Sequence, residues 1–354
     1  MAEVAGPRTI AHAWDSGRNH FNILRLVAAW LVIYGHAWPI TGSPGGDLIG
    51  KFTTIKFAGA VAVDVFFVVS GFLIAASLQR NSVRGYLASR ALRIVPALVV
   101  CVALTVFVLG PLLTTSPDYW RAPETWRYLW SNATLWRAEF FLPGVFSTLP
   151  QTAANGSLWT LPIEARLYIL LLIASMLGAL TTKRYLVPWL LALFGAAVFA
   201  WWRAPLPDWV ENDIWCAAFF ITGTALWLYR DHVRLSWIPV AVLFVLAALT
   251  RGTPWFVAPY FMLVCYGTLW IAFSKAPARM AHHDLSYGLY LYGWPVAQVV
   301  QTFSPGGPLH NVLWTTLIAL ALAAMSWFLV ERPALRAKRR FGTRTPQASP
   351  AKAG

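Results

Sequence analysis

The chain has 354 residues, of which 58% are hydrophobic and only 12% are charged, and its formal net charge is +14. A soluble domain carries about 25% charged residues, so the composition excludes an ordinary soluble protein. It predicts an all-α, polytopic membrane protein. The positive charge does not indicate a nucleic-acid-binding protein, because most Lys and Arg lie in short segments between apolar runs.

Apolar runs of about 17–23 residues, the length that crosses a bilayer core, recur along the chain. We expect ten membrane-spanning helices, at about residues 21–40, 57–79, 91–113, 158–179, 185–202, 213–229, 235–250, 254–273, 285–303 and 309–330. The membrane domain is therefore residues 21–331. It is preceded by an N-terminal tail, residues 1–20, and followed by a basic tail, residues 332–354, which we expect to be disordered. In this ten-span topology, most Lys and Arg lie on the side of the membrane that holds both termini. Both termini are therefore predicted to be cytoplasmic.

The first apolar run carries one cation and one imidazole, Arg25 and His36. Eleven helical residues return to within about 20° of the starting direction and rise about 16 Å. Arg25 and His36 therefore share one helix face at different depths. Such groups cost several kcal/mol in hydrocarbon unless they face protein or water, so this face is predicted to point into the bundle.

Two carboxylates are predicted to share the outer depth of His36. Asp64 lies early in the second span, and Glu164 follows Ser157, the expected N-cap of the fourth span. Such a layer suggests a histidine base near the outer face, with a carboxylate that orients or charges it. Glu164 is the favoured partner because it lies where the long connection 114–157 enters the membrane, and Asp64 is the alternative.

Three arginines are predicted to share the inner depth: Arg25, Arg90 and Arg93. Guanidinium groups hold phosphate bidentately, so this layer suggests a site for an anionic, phosphorylated ligand. A long, thin molecule with phosphates at one end and a thioester at the other would join the two layers, and coenzyme A has this shape.

Each of these residues also has a purely structural interpretation. His36 is then a hydrogen-bonding residue between helices, and Glu164 forms an ion pair with Arg166. Asp64 is then the structural partner of an arginine, while Arg90 and Arg93 mark the cytoplasmic side. Cys101, Cys216 and Cys265 lie in separate apolar runs without a C-x-x-C pair, so we expect no metal site.

Five local patterns together resemble the acyltransferase 3 family of integral membrane O-acyltransferases, over about residues 19–333. The first is the arginine, ten residues, histidine spacing of Arg25 and His36. The others are the segments Asp64–Leu73, Arg90–Pro96, Ser157–Tyr168 and Glu331–Pro333.

The ninth span departs from the pattern of the family. Members often read Ser-Tyr-x-x-Tyr-Leu-x-His-x-Pro, whereas this chain has Gly293 at the histidine position. The role of that imidazole is then absent here, or it is filled by Tyr290 or Tyr292.

The resemblance implies transfer of an acyl group, usually acetyl, from cytoplasmic acyl-coenzyme A to a hydroxyl group of a cell-surface or secreted glycan, such as a lipopolysaccharide. It also implies a bacterial inner-membrane location. From the two layers and the motifs together, we expect catalysis by His36, Glu164 and Asp64, and donor binding by Arg25, Arg90 and Arg93. The residues expected to contact substrate are Ser70, Tyr168 and Tyr290.

Two other classes of function are compatible with the same residues. In a secondary transporter of a polar or acylated solute, the histidine and carboxylates would relay protons, although paired broken helices are not apparent. A non-catalytic binding or sensing module would bind the ligand without turnover.

Overall fold

The computed structural model describes residues 8–178, 207–274 and 283–337. Within these ranges the chain is helical, and its β-structure is limited to one isolated bridge between Thr9 and Arg234. The helices are α1 (Ile10–Asp15), α2 (Phe21–Thr41), α3 (Leu48–Thr53), α4 (Ala58–Arg80), α5 (Val83–Leu104), α6 (Gly110–Leu113), α7 (Pro123–Ala133), α8 (Thr160–Met176), α9 (Asp208–Leu228), α10 (Trp237–Thr250), α11 (Val257–Ala272), α12 (Ser286–Phe303), α13 (Pro308–Ser326) and α14 (Arg332–Ala337). Short 3₁₀ turns precede α8 and α11, and π-helical turns at Thr105–Leu109 and Trp327–Glu331 join α5 to α6 and α13 to α14.

The described helices include six that are long and apolar enough to cross a membrane. They are Phe21–Thr41, Ala58–Arg80, Val83–Leu113, Gly156–Met176, Pro254–Ala272 and Pro308–Ala337. The prediction of a helical, multi-pass membrane protein is thus confirmed. The number of ten spans and the cytoplasmic termini stay predictions, and the fifth expected span, 185–202, lies outside the described residues.

Helix α4 lies at the centre of the bundle and packs against α2, α8, α9 and α11. Glycines allow two of these close approaches. A methyl group at Gly71 would overlap the Phe220 carbonyl of α9, and one at Gly35 of α2 would lie 2.5 Å from the Gly59 nitrogen of α4. Small residues at helix crossings are the usual means of packing helices in a membrane, where van der Waals contact replaces the hydrophobic effect.

The end of the long connection enters the bundle before α8 begins. Trp294 donates a hydrogen bond to the Ala153 carbonyl (2.9 Å), and the Asn155 side chain donates one to the Leu291 carbonyl (2.9 Å). Asn155, rather than the expected Ser157, caps the turn that leads into α8, since its side-chain oxygen accepts the Ser157 N–H. Helix α8 therefore starts inside the bundle, alongside α12.

Both ends of the described chain pack on the bundle. Ile10 and Ala13 of α1 are fully buried, and Trp14 packs edge-on against Phe72 and Trp227. At the other end, α14 continues the chain as a helix through Ala337, where the sequence suggested a disordered tail from residue 332 onward. Residues 338–354 lie outside the described part.

Candidate active site

A cavity of about 110 Å³ lies between α2, α4, α5, α8 and α12. Its polar lining consists of three arginines, one carboxylate and six hydroxyl groups: Arg25, Arg90, Arg93, Glu164, Ser70, Thr160, Tyr168, Ser286, Tyr287 and Tyr290. Seven of the nine residues assigned from the sequence thus line one cavity. His36 and Asp64 do not.

Ion pairs organise the guanidinium groups at one end of this cavity. Asp284 Oδ2 lies 2.8 Å from Arg25 Nη1 and 2.6 Å from Arg93 Nη2. Arg93 Nη1 lies 3.3 Å from Glu331 Oε2. Burial alone would raise the pKa of Asp284, but the charges of Arg25 and Arg93 outweigh it and hold the pKa at about 2. Asp284 is therefore a carboxylate at neutral pH.

Glu331 reaches Arg93 because the chain forms a π-helical turn at Trp327–Glu331. Such turns are rare and often occur at functional sites. The Glu331 side chain is buried and accepts a hydrogen bond from Ser326. This carboxylate is thus a fixed counter-charge behind the cavity.

Arg90 differs from the other two arginines of the cavity. Its Nε is buried, and no described residue supplies a hydrogen-bond partner for it. Buried polar groups nearly always have partners, so an anion with free oxygens is the ligand that would best complete the site.

Glu164 belongs to the same cavity as the arginines. It accepts hydrogen bonds from Ser70 (3.0 Å) and from the Tyr168 hydroxyl, and these two hydroxyl groups are 2.8 Å apart. Arg166 turns away from Glu164 and pairs with Asp213 at 3.0 Å. This agrees with the rotation of about 200° between residues two apart on a helix.

A tyrosine closes the other end of the cavity. The Tyr290 hydroxyl lies 2.7 Å from Thr160 Oγ1 and 2.6 Å from the Ser157 carbonyl, to which it donates. Phe66 packs edge-on against the Tyr290 ring. These contacts join α12 to the start of α8 and form the end wall.

His36 lies beyond that wall. Its ring packs edge-on against Trp294 and Phe57, with ring centroids 4.8 and 4.9 Å away. Its Nδ1 lies 2.7 Å from the Val32 carbonyl. A carbonyl only accepts hydrogen bonds, so Nδ1 carries the proton and Nε2 keeps its lone pair when the ring is neutral. This is the form that a general base requires.

The structure does not place the three predicted outer residues in one layer. Gly59 packs on the His36 ring, and Ser70, which contacts Glu164, lies eleven residues further along α4, or about 16 Å. Helix α8 gives a similar separation. Gly156 packs on Trp294, which contacts His36, and Glu164 follows Gly156 by eight residues, or about 12 Å. The connection before α8 descends into the bundle, so Glu164 lies at the depth of the arginines instead.

Asp64 lies outside the cavity, on the side of α4 that faces α9 and α11. Tyr260 and Trp215 donate hydrogen bonds to its carboxylate (2.6 and 3.0 Å), and Lys56 Nζ lies 3.6 Å away. Asp64 is thus the buried partner of a lysine, rather than of the arginine that its structural interpretation named. Within the described residues neither Asp64 nor Glu164 contacts His36, so a carboxylate partner for the imidazole stays a prediction.

Gly293 allows α12 to pack closely on α2. A Cβ atom at this position would lie 2.8 Å from Ile33 Cγ1. A histidine here would require either a shift of the Ile33 side chain or a wider helix spacing. Tyr290, one of the two residues considered as its substitute, instead closes the cavity.

The sequence assigned no role to the two carboxylates that pair with the cavity arginines. Asp284 stands just before the ninth span, two residues from Ser286 of a recognised motif. Glu331 begins the closing motif of the chain. Their proximity to the arginines depends on contacts between residues 191 and 238 positions apart, which no local pattern reveals. The described residues contain no group of three or more His, Cys, Asp or Glu that could hold a metal ion.

Comparison with known proteins shows what the chain resembles. The family described as an acyltransferase domain, Acyl_transf_3, matches residues 18–331. An O-acetyl transferase of Shigella phage Sf6 is 30% identical over 331 residues, covering 89% of this chain and 95% of that protein. Nodulation protein 10 of Rhizobium leguminosarum bv. viciae is 28% identical over 353 residues, covering 90% and 94%. No solved structure matches the chain.

The family match spans the arginine cavity, the histidine and the Glu331 turn together. It confirms the resemblance that the five sequence patterns indicated. The chain belongs to the acyltransferase 3 family of integral membrane proteins, and it is an acyltransferase.

Proposed function

We propose that the protein is an O-acetyltransferase of the bacterial inner membrane, which moves acetyl from cytoplasmic acyl-coenzyme A to a hydroxyl group of a cell-surface or secreted glycan. The arrangement of Arg25 and His36 carries this proposal. They lie on one face of α2, about 16 Å apart, with an arginine-lined cavity at the first and an imidazole base at the second. The name of the phage relative supports the acetyl group and the hydroxyl acceptor.

The donor binds with its phosphates among Arg25, Arg90 and Arg93, and its pantetheine arm follows the cavity between α4 and α8. Ser70 and Tyr168 line this path, and Glu164 fixes their hydroxyl groups. To bring the thioester to His36, the arm must pass the hydrogen bond between Tyr290 and Thr160. The end wall thus separates the donor-binding cavity from His36, where the reaction occurs.

In the reaction, His36 Nε2 removes the proton from the acceptor hydroxyl, and the oxygen attacks the thioester carbonyl. The new C–O bond forms, the C–S bond breaks, and the thiolate of coenzyme A leaves and takes up a proton. A well-placed general base contributes about 10²–10⁴-fold to the rate. The carboxylate expected to stabilise the transient positive charge is Glu164 or Asp64, neither of which contacts His36 among the described residues.

The test combines a purified enzyme with a cellular assay. Purified protein should release coenzyme A from acetyl-coenzyme A when the envelope glycan fraction is added, without any ion gradient. Mass spectrometry of glycans from a deletion strain should show loss of one or more acetyl groups, restored by the wild-type gene and not by His36→Ala. Identical glycans in both strains, together with no thiol release, would contradict the proposal. Gradient-dependent uptake of a solute would then favour the transporter.

A further inference from the structure

Asp284 occupies an unusual position between two arginines of the cavity. A single oxygen, Oδ2, lies 2.8 Å from Arg25 and 2.6 Å from Arg93. The other oxygen accepts hydrogen bonds from the side chain and N–H of Ser286 at the start of α12. Phosphate oxygens are acceptors of the same guanidinium donors as a carboxylate oxygen, so a phosphate could occupy the position of Oδ2 between the two arginines.

The cavity has no surplus positive charge while Asp284 stays there. Among the described residues, the arginines that line it oppose the carboxylates of Asp284, Glu331 and Glu164. Their formal charges cancel. A polyphosphate ligand gains little electrostatic energy from a neutral site, so strong binding requires one carboxylate to withdraw.

Of the two carboxylates that pair with the cavity arginines, Asp284 can withdraw at the lower cost. Its side chain is 12% exposed, whereas that of Glu331 is 1% exposed and packed within the π-helical turn. Asp284 also precedes α12, outside the membrane-spanning helix, and it keeps the Ser286 hydrogen bonds if Oδ2 leaves the arginines. Its withdrawal therefore does not strand an unpaired charge in the protein interior.

Building on the proposed function, we infer that Asp284 holds the place of a donor phosphate between Arg25 and Arg93, and that acyl-coenzyme A displaces it on binding. The carboxylate is an intramolecular competitor of the donor. It keeps the two guanidinium groups paired in the empty enzyme, and it returns to them when free coenzyme A departs. Because the contact consists of ion pairs and hydrogen bonds, a ligand must carry an anionic group, such as the phosphates of coenzyme A, to compete with it.

The test measures binding of two ligands to the purified full-length protein by calorimetry at fixed ionic strength. Coenzyme A carries the phosphates and undergoes no reaction, and pantetheine shares the arm but lacks the phosphates. Asp284→Asn keeps the shape of the side chain and removes its charge. Asp213→Asn is the matched control, because it removes one negative charge from the pair with Arg166, outside the cavity.

We expect Asp284→Asn to bind coenzyme A about three- to tenfold more tightly than the wild type, as for the loss of a partly buried competing ion pair. Pantetheine binding should not change, and Asp213→Asn should match the wild type for both ligands. The ligand-free Asp284→Asn protein should melt at a lower temperature, and coenzyme A should raise its melting temperature by more than in the wild type.

Equal or weaker binding of coenzyme A by Asp284→Asn would overturn the inference, because Asp284 would then only orient the arginines. If Asp284→Asn does not fold, Asp284→Ser takes its place, purified with saturating coenzyme A. Failure of both variants to fold even then would also overturn it, since the donor should replace the carboxylate. No binding of coenzyme A by the wild type would instead refute the donor site itself.

Discussion

His36 Nδ1 lies 2.7 Å from the Val32 carbonyl, one helical turn earlier in α2. This single contact decides the tautomer of the imidazole without a carboxylate, because only a protonated Nδ1 can donate to a carbonyl. Nε2 keeps its lone pair, and the ring packs against Phe57 and Trp294. The structure thus offers a base whose tautomer is set by its own helix.

Replacement of His36 should abolish most of the transfer. We expect His36→Ala to lower the rate by about 10²–10⁴-fold, with expression and membrane insertion unchanged. The measurement is acetyl transfer by equal amounts of purified protein. His310→Ala is the control, because that histidine bonds to Ser304 in the connection between α12 and α13. Transfer near the wild-type rate by His36→Ala would exclude His36 as the base.

Replacement of the cavity arginines by lysine should weaken donor binding. Lysine keeps the charge but not the bidentate geometry, so Arg25→Lys, Arg90→Lys and Arg93→Lys should each raise the Kd for coenzyme A more than the KM for the acceptor. Arg166→Lys, which alters a pair with Asp213 outside the cavity, should not. Unchanged affinity in all three variants would mean that these arginines only mark the cytoplasmic side.

Glu164→Gln and Asp64→Asn should have different effects. Glu164 fixes the Ser70 and Tyr168 hydroxyl groups on the cavity wall, so we expect its variant to bind coenzyme A less well and to turn over more slowly. Asp64 neutralises Lys56 outside the cavity, so its variant should mainly lose thermal stability.

Coenzyme A affinity, turnover and melting temperature of both variants distinguish the alternatives. Slow turnover of Glu164→Gln with unchanged affinity would support the expected action of this carboxylate on His36. If only Asp64→Asn loses turnover, at wild-type stability, then Asp64 is the partner. If neither variant loses turnover, His36 acts without a carboxylate partner.

The crossing of α4 and α9 should not tolerate even a methyl group. Gly71→Ala would overlap the Phe220 carbonyl, and overpacking of this kind costs about 1–3 kcal/mol. Gly267→Ala in α11 is the matched control, since its nearest neighbour would be a Leu263 methyl at 3.9 Å. Thermal melting of the purified proteins should show a clear drop for the first variant only. Equal melting temperatures would refute the tight crossing.

Restoring the family histidine should harm this protein. Gly293→His places a Cβ atom 2.8 Å from Ile33 Cγ1, so we expect lower stability and lower transfer. The double variant with Ile33→Ala should recover part of the stability, as coupled neighbours do. Higher transfer in the single variant would instead show that the site lacks only an imidazole.

The sequence by itself determined the local features of this protein. Apolar runs of bilayer length predicted the helices, and a fixed rotation per residue put Arg25 and His36 on one face, because both depend only on neighbours along the chain. The order of the motifs also indicated the family. Only the tertiary structure decided the depth of Glu164, which follows from the entry of residues 150–156 into the bundle through contacts with α12. It also decided that Asp64 faces Trp215 and Tyr260 and that Asp284 lies beside Arg25 and Arg93, since these contacts join segments far apart in sequence.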